Sequence, residues 1–378
     1  MSSARWRFAA AAAAIAAIVL THAAVRTTAQ GGLQVIATGL VNPRGLNFGP
    51  EGALYVAEAG SGGAGPCIVN SNAQLVCYGP TGAITRISLR DPSSKSRIVT
   101  GLPSLAGPTG ASATGAHDVD FQGRGNGFVT IGAALDPARR FVDAVHPEFA
   151  AVGAKFGRLV RFQPNGKWSF VEDLSAFELL ANPDGGAFDS NPYGVLALPG
   201  RVVFTDAGGN SLNEVAANGS ISNLAAFFDR LVPFMGGQVP MQAVPTTVTR
   251  GPDGAFYVGQ LTGFPFPAGA ANVYRVPAGG GSPDVFSSGF TKIIDIAFGP
   301  DGSLYVLQIT AAGGPPPAPG PGSLIRVSPD GTTKTTIVAA GAGLVAPGGI
   351  AIDTDGSIYV TNHSVEPNGI GTVVKVTP

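Results

Sequence analysis

The chain of 378 residues is too long for one minimal domain, so the sequence predicts several domains or one repetitive domain. Only 12% of the residues are charged, and 55 glycines and 31 prolines are spread along the chain, which argues against a helix bundle. The 23 basic and 24 acidic residues give a net charge of −1, so the chain lacks the basic surface of a nucleic-acid-binding protein, and 44% hydrophobic residues argue against disorder.

The N-terminal segment has the order of a secretory signal. Arg5 and Arg7 precede an apolar run over residues 8–20, and small residues follow up to Ala29. This run is shorter than the ~20 apolar residues that span a bilayer, and no later segment reaches that length. We therefore expect a signal peptide over residues 1–29, a mature domain over residues 30–378 without an integral membrane segment, and a secreted or periplasmic location.

Two cysteines, Cys67 and Cys77, lie in a Gly-, Asn- and Ser-rich stretch over residues 60–82. Two thiols this close together in an exported chain usually pair, so we expect a disulfide that fixes an exposed loop. A redox or metal-binding pair is the alternative, but the sequence offers neither an adjacent histidine nor a third cysteine to support it.

A repeated phrase fills the rest of the chain. Four clear copies cover residues 42–58, 244–260, 293–308 and 347–362, and two degenerate copies cover residues 116–131 and 191–207. Each copy has an apolar alternating strand, a turn built on Asp-Gly or its equivalent, and a second strand that ends in Tyr-Val or a similar pair. This pattern predicts a β-hairpin in each copy, because Gly and Asp adopt turn conformations that other residues resist.

The spacing of the six copies indicates the fold. A unit of roughly 50 residues is the period of a four-stranded propeller blade, and two longer steps mark insertions. The last blade ends with its third strand at Pro378, and the stretch 33–40 matches the outer strand that this blade lacks. We therefore predict an all-β, six-bladed β-propeller with short helical insertions, closed by pairing of the N-terminal strand with the last blade.

The phrase GPDGxLYV with a following IxRV strand is similar to NHL and gluconolactonase-type six-bladed propellers, and NPRGL, GPC and CYGPTGAITRI resemble the ScyD/ScyE family. This resemblance covers the whole mature chain. It implies an exported propeller and assigns no biochemical activity. Gluconolactonase-type enzymes hold one divalent metal with a glutamate, an aspartate and asparagines on the inner strands, whereas this chain has Arg44 and Gly45 where that glutamate is expected.

Three insertions interrupt the repeat. In residues 136–153, Phe141, Val145 and Phe149 recur at four-residue spacing and predict one amphipathic helix. The apolar cluster in residues 221–242 predicts a helix packed on the propeller rim, with a cap of the channel mouth or a hydrophobic-ligand site as the alternative. The stretch 311–322 predicts a polyproline-like loop.

Propellers bind ligands over a central channel that the innermost strand of every blade lines. Alignment of the six copies predicts two layers of residues around this channel. The first layer contains Arg44, His117, Tyr193, Thr246, Ile294 and Gly348, and the second contains Gly45, Asp118, Gly194, Thr247, Asp295 and Gly349. The candidate ligand-binding residues at the channel are Arg44, His117, Asp118, Tyr193 and Asp295.

Asp118 and Asp295 replace small or neutral residues and belong to opposite blades. Facing carboxylates, completed by water and backbone carbonyls, suit Ca²⁺, so these two residues are the candidate metal ligands and Ca²⁺ is the candidate cofactor. Each aspartate equally suits a strand-end cap or a partner for Arg44. His117 is the candidate general base, although a histidine beside a carboxylate also serves as a structural hydrogen-bonding group.

A third layer follows the Tyr-Val pair and is polar in every blade but the second, where Ile131 takes the position. We expect these residues to make a repeated structural hydrogen bond to a neighbouring loop. They are Glu58, Asp206, Gln260, Gln308 and Asn362.

The expected function is that of a non-catalytic exported module that binds a small molecule, a glycan or a protein through its loop face. The sequence has no GxSxG, no HExxH and no glycine-rich phosphate loop between a strand and a helix. The alternative is a metal-assisted lactonase or hydrolase that uses Asp118, Asp295 and His117, with metal-bound water as the nucleophile. A third hypothesis, a sugar dehydrogenase of the quinone-dependent propeller kind, rests on Arg44 alone.

Overall fold

A computed structural model of the protein describes residues 32–91, 94–123, 125–314, 320–366 and 369–377. The signal peptide predicted for residues 1–29 and the middle of the proline-rich stretch 311–322 lie outside the described residues. The described strands form six antiparallel sheets of four or five strands and one separate two-stranded sheet. The predicted six-bladed β-propeller is therefore confirmed.

Each blade is an antiparallel sheet, and in the second to fifth blades the strands follow one another in chain order from the centre outward. The first stretch of the described chain is β1 (Gly32–Leu40). The first blade contains β2 (Pro43–Phe48), β3 (Leu54–Glu58), β4 (Cys67–Val69), β5 (Leu75–Ile87) and β6 (Lys95–Ala106). The second contains β7 (Ala116–Gln122), β8 (Asn126–Ile131), β9 (Arg158–Phe162) and β10 (Trp168–Asp173). The third contains β11 (Pro192–Leu198), β12 (Arg201–Asp206), β13 (Ser211–Ala216) and β14 (Ile221–Ala226).

The second half of the ring follows a separate hairpin. This hairpin is made of β15 (Arg230–Phe234) and β16 (Gly237–Met241). The fourth blade contains β17 (Pro245–Arg250), β18 (Phe256–Gln260), β19 (Ala271–Val276) and β20 (Asp284–Phe290). The fifth contains β21 (Ile293–Phe298), β22 (Leu304–Gln308), β23 (Ser323–Val327) and β24 (Lys334–Val338). The sixth contains β25 (Gly349–Ile352), β26 (Ile358–Asn362) and β27 (Gly371–Thr377).

The N-terminal strand closes the ring. β1 pairs antiparallel with β27, with Leu33 opposite Val376 and Val35 opposite Val374. The sixth blade thus takes its outer strand from the beginning of the chain, in the order β1-β27-β26-β25. This pairing covers the edge of β27, which would otherwise present unpaired backbone groups to other chains.

The chain direction gives the ring two different faces. At the turn face, the first and second strands of each blade meet in a short turn. At the insertion face, the second strand of each blade leads to the third, and each blade leads to the next. The insertion face carries the longer connections, over residues 59–74, 107–115, 132–157, 174–191, 227–244, 261–270, 309–314 and 320–322.

The repeated phrase has a structural reason at the turn face. In the first blade, the carboxylate of Glu51 accepts hydrogen bonds from Tyr55 Oη (2.7 Å) and Arg86 Nε (2.8 Å). The turn residue, the tyrosine of the second strand and the arginine of the third strand thereby connect three segments of one blade. The fourth blade repeats this arrangement with Asp253, Tyr257 and Arg275.

The same tyrosines pack between blades. Tyr55 lies 4.6 Å from Phe121 of the second blade between ring centroids, and Tyr257 lies 4.9 Å from Phe298 of the fifth blade. Edge-to-face contacts of this kind add to the free energy gained from burying the rings. The phrase thus stabilises both its own blade and the joint with the next.

The helix predicted for residues 136–153 is wrong. This insertion contains two 3-10 turns, Pro137–Arg140 and Pro147–Phe149, followed by the short helix α1 (Ala150–Gly153). Proline fixes its own backbone angle and has no N–H to donate within a helix. Pro147 therefore favours the start of a new helical turn over a continuous helix. The longer helix is α2 (Leu174–Ala181), which follows β10 and begins at the capping residue Asp173.

The rim helix predicted for residues 221–242 is also wrong, because the segment forms β14 and the hairpin β15–β16. Met235 and Gly236 make the two-residue turn, with φ of 48° and 81°. Two successive positive φ values are typical of the turns that join tight hairpins. Pro233 and Pro240 remove backbone donors that a helix would need.

Candidate functional site

Three side chains of the predicted first layer come together at the insertion-face end of the channel. Arg44 is 6% exposed, its Nη2 donates to the Ala113 carbonyl (2.8 Å), and its Nε has no partner. His117, which is 3% exposed, stacks on Tyr193 with ring centroids 4.3 Å apart. The sequence alignment put these residues in one layer, and in the structure Arg44 and His117 are buried.

The hydrogen bonding of His117 fixes its protonation. Nδ1 lies 3.0 Å from the Pro192 carbonyl oxygen, which only accepts, so Nδ1 carries the proton. Burial and, to a smaller extent, the charge of Arg44 lower the pKa of His117 to about 3. The imidazole is therefore neutral at physiological pH, and a base this weak is poorly matched to proton abstraction near pH 7.

Asp118 and Asp295 both line the channel, and each connects its blade to the next. Asp118 Oδ2 accepts from Val195 N (2.9 Å) of the third blade. Asp295 accepts from Thr247 Oγ1 (2.6 Å) of the fourth blade and from Ile350 N (2.8 Å) of the sixth. The two carboxylates thus have a structural use that holds blades together.

Neither carboxylate has a basic partner among these contacts. Burial, together with the negative charge of Asp295, raises the pKa of Asp118 well above its usual value. Burial raises the pKa of Asp295 to about 6. The alternative of an ion pair with Arg44 is wrong, because no ion pair within the described ranges joins Arg44 to either aspartate.

The second layer is a tight ring. A Cβ added at Gly45 would lie 2.0 Å from Asp118 Oδ1, and one added at Gly349 would lie 2.7 Å from Gly45 Cα. A Cβ at Gly194 would lie 2.8 Å from Thr247 Cα. The small residues in this layer are therefore required by the close approach of neighbouring inner strands.

Sequence reasoning missed a third channel carboxylate. Asp120 accepts hydrogen bonds from Ala197 N (2.7 Å) and Asn47 Nδ2 (2.7 Å), so it connects the second blade to both neighbours. Burial raises its pKa to about 6. Its position two residues after Asp118 on one strand was the available signal, because such residues share a face.

The three aspartates line one cavity of about 280 Å³ in the channel. Its other lining residues include Thr247, Thr249 and Arg250. In the part of the chain that the structure describes, no group of three or more His, Cys, Asp or Glu side chains could hold a metal ion. The roles predicted for Asp118 and Asp295 as metal ligands, and for the five channel residues in ligand binding, stay predictions.

Four of the five polar residues of the third layer make the repeated structural hydrogen bond that their position predicts, whereas Gln260 accepts from Arg230 Nη2 (3.1 Å) and Asn272 N (3.1 Å). Glu58 Oε2 accepts from Val41 N (2.7 Å), and Asn362 Oδ1 accepts from Val345 N (2.7 Å). Asp206 and Gln308 accept in the same way from Asn191 N and Thr291 N. The side chain after the Tyr-Val pair therefore fixes the connection that enters each of these blades.

The predicted disulfide is confirmed. Cys67 and Cys77 are directly opposite each other in the pairing of β4 with β5, and their sulfurs are bonded. The bridge lies in the longest connection of the first blade at the insertion face, where it holds a short strand onto β5.

A second feature that the sequence analysis did not find is an acidic group at the insertion face of the third blade. It consists of Glu178 on α2, Asp184 and Asp189 in the following loop, and Asp206 at the end of β12. Glu178 is 2% exposed, and its Oε1 has no hydrogen-bond partner. The stretch ANPDGGAFDS after α2, with two acids among glycines, was the available sequence signal.

Exposed apolar side chains are concentrated on the insertion face. Three of the large hydrophobic residues that are exposed lie on outer strands, namely Val35, Val171 and Val285. The other exposed ones lie on segments of the insertion face: Leu75, Phe141, Val142, Val145, Leu180, Phe188, Phe228, Leu231, Met235, Phe264 and Ile370. None of the exposed large hydrophobics in the described residues lies in a turn of the turn face.

Solved structures share this architecture. Regucalcin, a calcium-binding protein from Agrobacterium tumefaciens, aligns over 92% of this chain and 95% of that chain, with 13% identity and a TM-score of 0.50. A glucose dehydrogenase aligns over 92% of this chain and 99% of that chain, with 12% identity and a TM-score of 0.51. No family model and no curated protein matches the sequence.

At these identities the likeness concerns the fold alone. It agrees with the NHL/gluconolactonase-like six-bladed propeller that the repeat predicted. Membership of the ScyD/ScyE family stays a prediction. The fold accommodates both enzymes and binding proteins, so the function has to be argued from the sites of this chain.

Proposed function

We propose that the protein is an exported, non-catalytic binding module of the ScyD/ScyE type, and that it docks a partner protein on its insertion face. The observation that carries this proposal is the concentration of exposed apolar side chains on that face. Soluble proteins rarely expose contiguous apolar surface unless it serves an interaction. The turn face, where the blades end in short turns, offers no comparable surface among the described residues.

The surface is densest around the hairpin β15–β16. We call Phe228, Leu231, Met235 and Phe264 the hairpin patch; their exposed fractions are 67%, 70%, 91% and 53%. The hairpin packs against the insertion of the fourth blade, where Phe234 contacts Phe264 with ring centroids 4.9 Å apart.

The hairpin has one packed and one free side. Val232 and Met241 are buried, whereas Leu231 and its cross-strand neighbour Pro240 are exposed. A two-stranded sheet is marginal by itself and needs packing on one side to be stable. Since the buried side supplies that packing, the exposed apolar side is free for a partner.

A protein suits this surface better than a small molecule or a glycan. Most of the exposed apolar residues of the insertion face come from consecutive insertions of the second, third and fourth blades, so a ligand that covers them has to be broad. The tip residue Met235 is flexible and polarizable, which favours contact with an apolar protein surface. A glycan would leave most of these apolar side chains without a matching partner.

One observation supports export. The Cys67–Cys77 disulfide is typical of an oxidising compartment outside the cytosol. No helix in the described ranges is long and apolar enough to cross a membrane. We propose the domain organisation of the sequence analysis accordingly, with a signal over residues 1–29 and the propeller over residues 30–378.

Site-specific crosslinking tests the docking proposal. A photo-reactive amino acid replaces Leu231 in the hairpin patch, or Val285 on the outer strand β20 as a matched exposed control. The mature protein is incubated with the exported proteins of the producing cell, and the crosslinked protein is identified, purified and titrated by calorimetry. We expect crosslinking from position 231 alone, and at least about tenfold weaker binding by the variant Leu231→Ser with Met235→Ser.

Three results would overturn the proposal. They are equal crosslinking from positions 231 and 285, an affinity that the double substitution leaves unchanged, and crosslinks to a second copy of the chain alone. The variant Val285→Ser controls for a general loss of surface hydrophobicity and is expected to bind normally.

A second candidate function is the metal-assisted lactonase or hydrolase. It is favoured by the three aspartates around the channel cavity of about 280 Å³. Each candidate ligand already accepts backbone hydrogen bonds, which limits the oxygens left for a metal. Metal analysis of the protein with Asp118→Asn and Asp295→Asn tests it: unchanged metal content and lactone hydrolysis would rule the channel out.

A further inference from the structure

The acidic group of the third blade contains a buried carboxyl group, that of Glu178, which forms no ion pair in the described protein; burial and the neighbouring acids raise its pKa to about 8. Glu178 is 2% exposed, and its Oε1 makes no hydrogen bond. One turn along the chain, Asn182 Oδ1 is also buried and without a partner. Two acceptor oxygens without donors are costly in a protein interior, and both belong to one side chain pair at i and i+4.

The charges around Glu178 are all negative. Asp184, Asp189 and Asp206 surround it, and no ion pair in the described ranges involves any of these four acids. Arg140 and Arg158 bind Asp173 at the opposite end of α2. The carbonyl end of α2 adds partial negative charge at Asn182, which favours a cation there.

Two of the acids lie close to one glycine. A Cβ added at Gly209 would lie 2.5 Å from Glu178 Oε2 and 3.4 Å from Asp206 Cγ. Two carboxylates therefore approach the same glycine from two elements, α2 and the end of β12. The positive-φ glycines do not include Gly209, so the absence of a side chain here reflects space rather than backbone conformation.

We propose that Glu178, Asn182 and the acids around them form a binding site for a hard divalent cation of the Ca²⁺ type at the insertion face of the third blade. Glu178 supplies the charged ligand and Asn182 the neutral amide oxygen, while Asp184 and Asp206 supply the surrounding negative charge. All donors are oxygens, and Ca²⁺ readily combines carboxylate, amide and water oxygens in irregular geometry.

The proposed ligands are one carboxylate and one amide oxygen, not a cluster of three acidic side chains. No three acidic side chains of the described residues converge on one point. Asp184 is held aside by Asn210, whose Nδ2 donates to Asp184 Oδ2 (2.9 Å), and Asp206 accepts from Ser190 Oγ (2.6 Å). This site is separate from the channel and does not depend on the docking proposal.

Calorimetric titration of the metal-free mature protein with CaCl₂ tests the site, with MgCl₂ as the comparison ion. We expect one Ca²⁺ per chain and a rise in melting temperature on saturation. Glu178→Gln keeps the shape of the side chain and removes its charge, and we expect it to weaken Ca²⁺ binding at least about tenfold. The control, Asp118→Asn with Asp295→Asn, alters the channel and is expected to bind Ca²⁺ normally.

A second variant, at Gly209, tests whether the ion needs the space beside Glu178. Gly209→Ala places a methyl group against Glu178 Oε2 and should weaken Ca²⁺ binding without removing any charge. The proposal is overturned if the wild-type protein shows neither heat of binding nor a melting shift with Ca²⁺ at about 1 mM. It is equally overturned if Glu178→Gln binds Ca²⁺ as tightly as the wild type, or if the channel variant abolishes binding.

Discussion

Carboxylates at the turn face and carboxylates in the channel belong to the same repeated hairpins, yet their environments are opposite. At the turn face, a backbone hydrogen bond from Ser303 N, together with Arg326, lowers the pKa of Asp301. In the channel, burial raises the pKa of Asp120 to about 6. The difference lies in the partners, since solvent and an arginine surround one group and backbone N–H groups of the next blade surround the other.

This contrast shows how one repeat serves two purposes. An ion pair between an arginine and a carboxylate that are both more than a third exposed, such as Arg275 with Asp253, is screened by water and adds little to stability. A channel aspartate that accepts backbone N–H groups from a neighbouring blade removes the penalty of leaving those groups unpaired. The turn-face carboxylates therefore shape each blade, and the channel carboxylates join the blades.

The largest expected effect on stability comes from removing a channel carboxylate that connects neighbouring blades. Asp295→Ala deprives Thr247 Oγ1, Ile296 N and Ile350 N of their acceptor, so we expect the free energy of unfolding to fall by about 3 kcal/mol. Urea unfolding at pH 7 measures it. Asp295→Asn retains one acceptor oxygen and should lose less stability. If the free energy of unfolding of Asp295→Ala lay within about 0.5 kcal/mol of the wild type, Asp295 would not hold the blades together.

The next effect is a dependence of stability on pH. Asp120 has an unfolded pKa near 3.8 and a folded pKa of about 6, so the folded state holds its proton more tightly. Its contribution is complete below about pH 4 and is lost as the pH rises through about 6, amounting to about 3 kcal/mol.

Urea unfolding between pH 4 and pH 7 measures this loss. Asp120→Asn should flatten the decline, whereas Asp301→Asn at the turn face should not. The lowered pKa of Asp301 gives it the opposite sign, with stability gained as the pH rises through its unfolded value. A decline of the same size in the Asp120→Asn protein would contradict the assignment.

The smallest effect belongs to the turn face. Asp253→Asn removes the exposed pair with Arg275 and should lower the free energy of unfolding only slightly, because water screens the two charges. Thermal unfolding at low and high salt measures it, and salt should erase most of the difference because it screens exposed charges. A loss of stability as large as that of Asp295→Ala would show that turn-face and channel carboxylates contribute equally to stability, contrary to the comparison above.

Local chemistry explains why so much of the fold was predictable. Alternating apolar residues and Asp-Gly turns encode each hairpin within about twenty residues, and a repeated hairpin leaves few architectures besides a propeller. The stretch 33–40 could be assigned to the last blade because its pattern matched the outer strands. The hairpin β15–β16 was missed because the crowded apolar residues suggested a helix, whereas Met235 and Gly236 form a turn.

The sequence by itself determined the six blades, the ring closure by β1, the Cys67–Cys77 bridge and the layer to which each channel residue belongs. Tertiary structure alone decided that His117 is buried and neutral, that Asp118 and Asp295 bind backbone groups of adjacent blades, and that Glu178 lies against Gly209. The physical reason is that periodicity specifies which face of a strand a side chain occupies. Its protonation and its partners depend on burial and on groups that are distant in the chain.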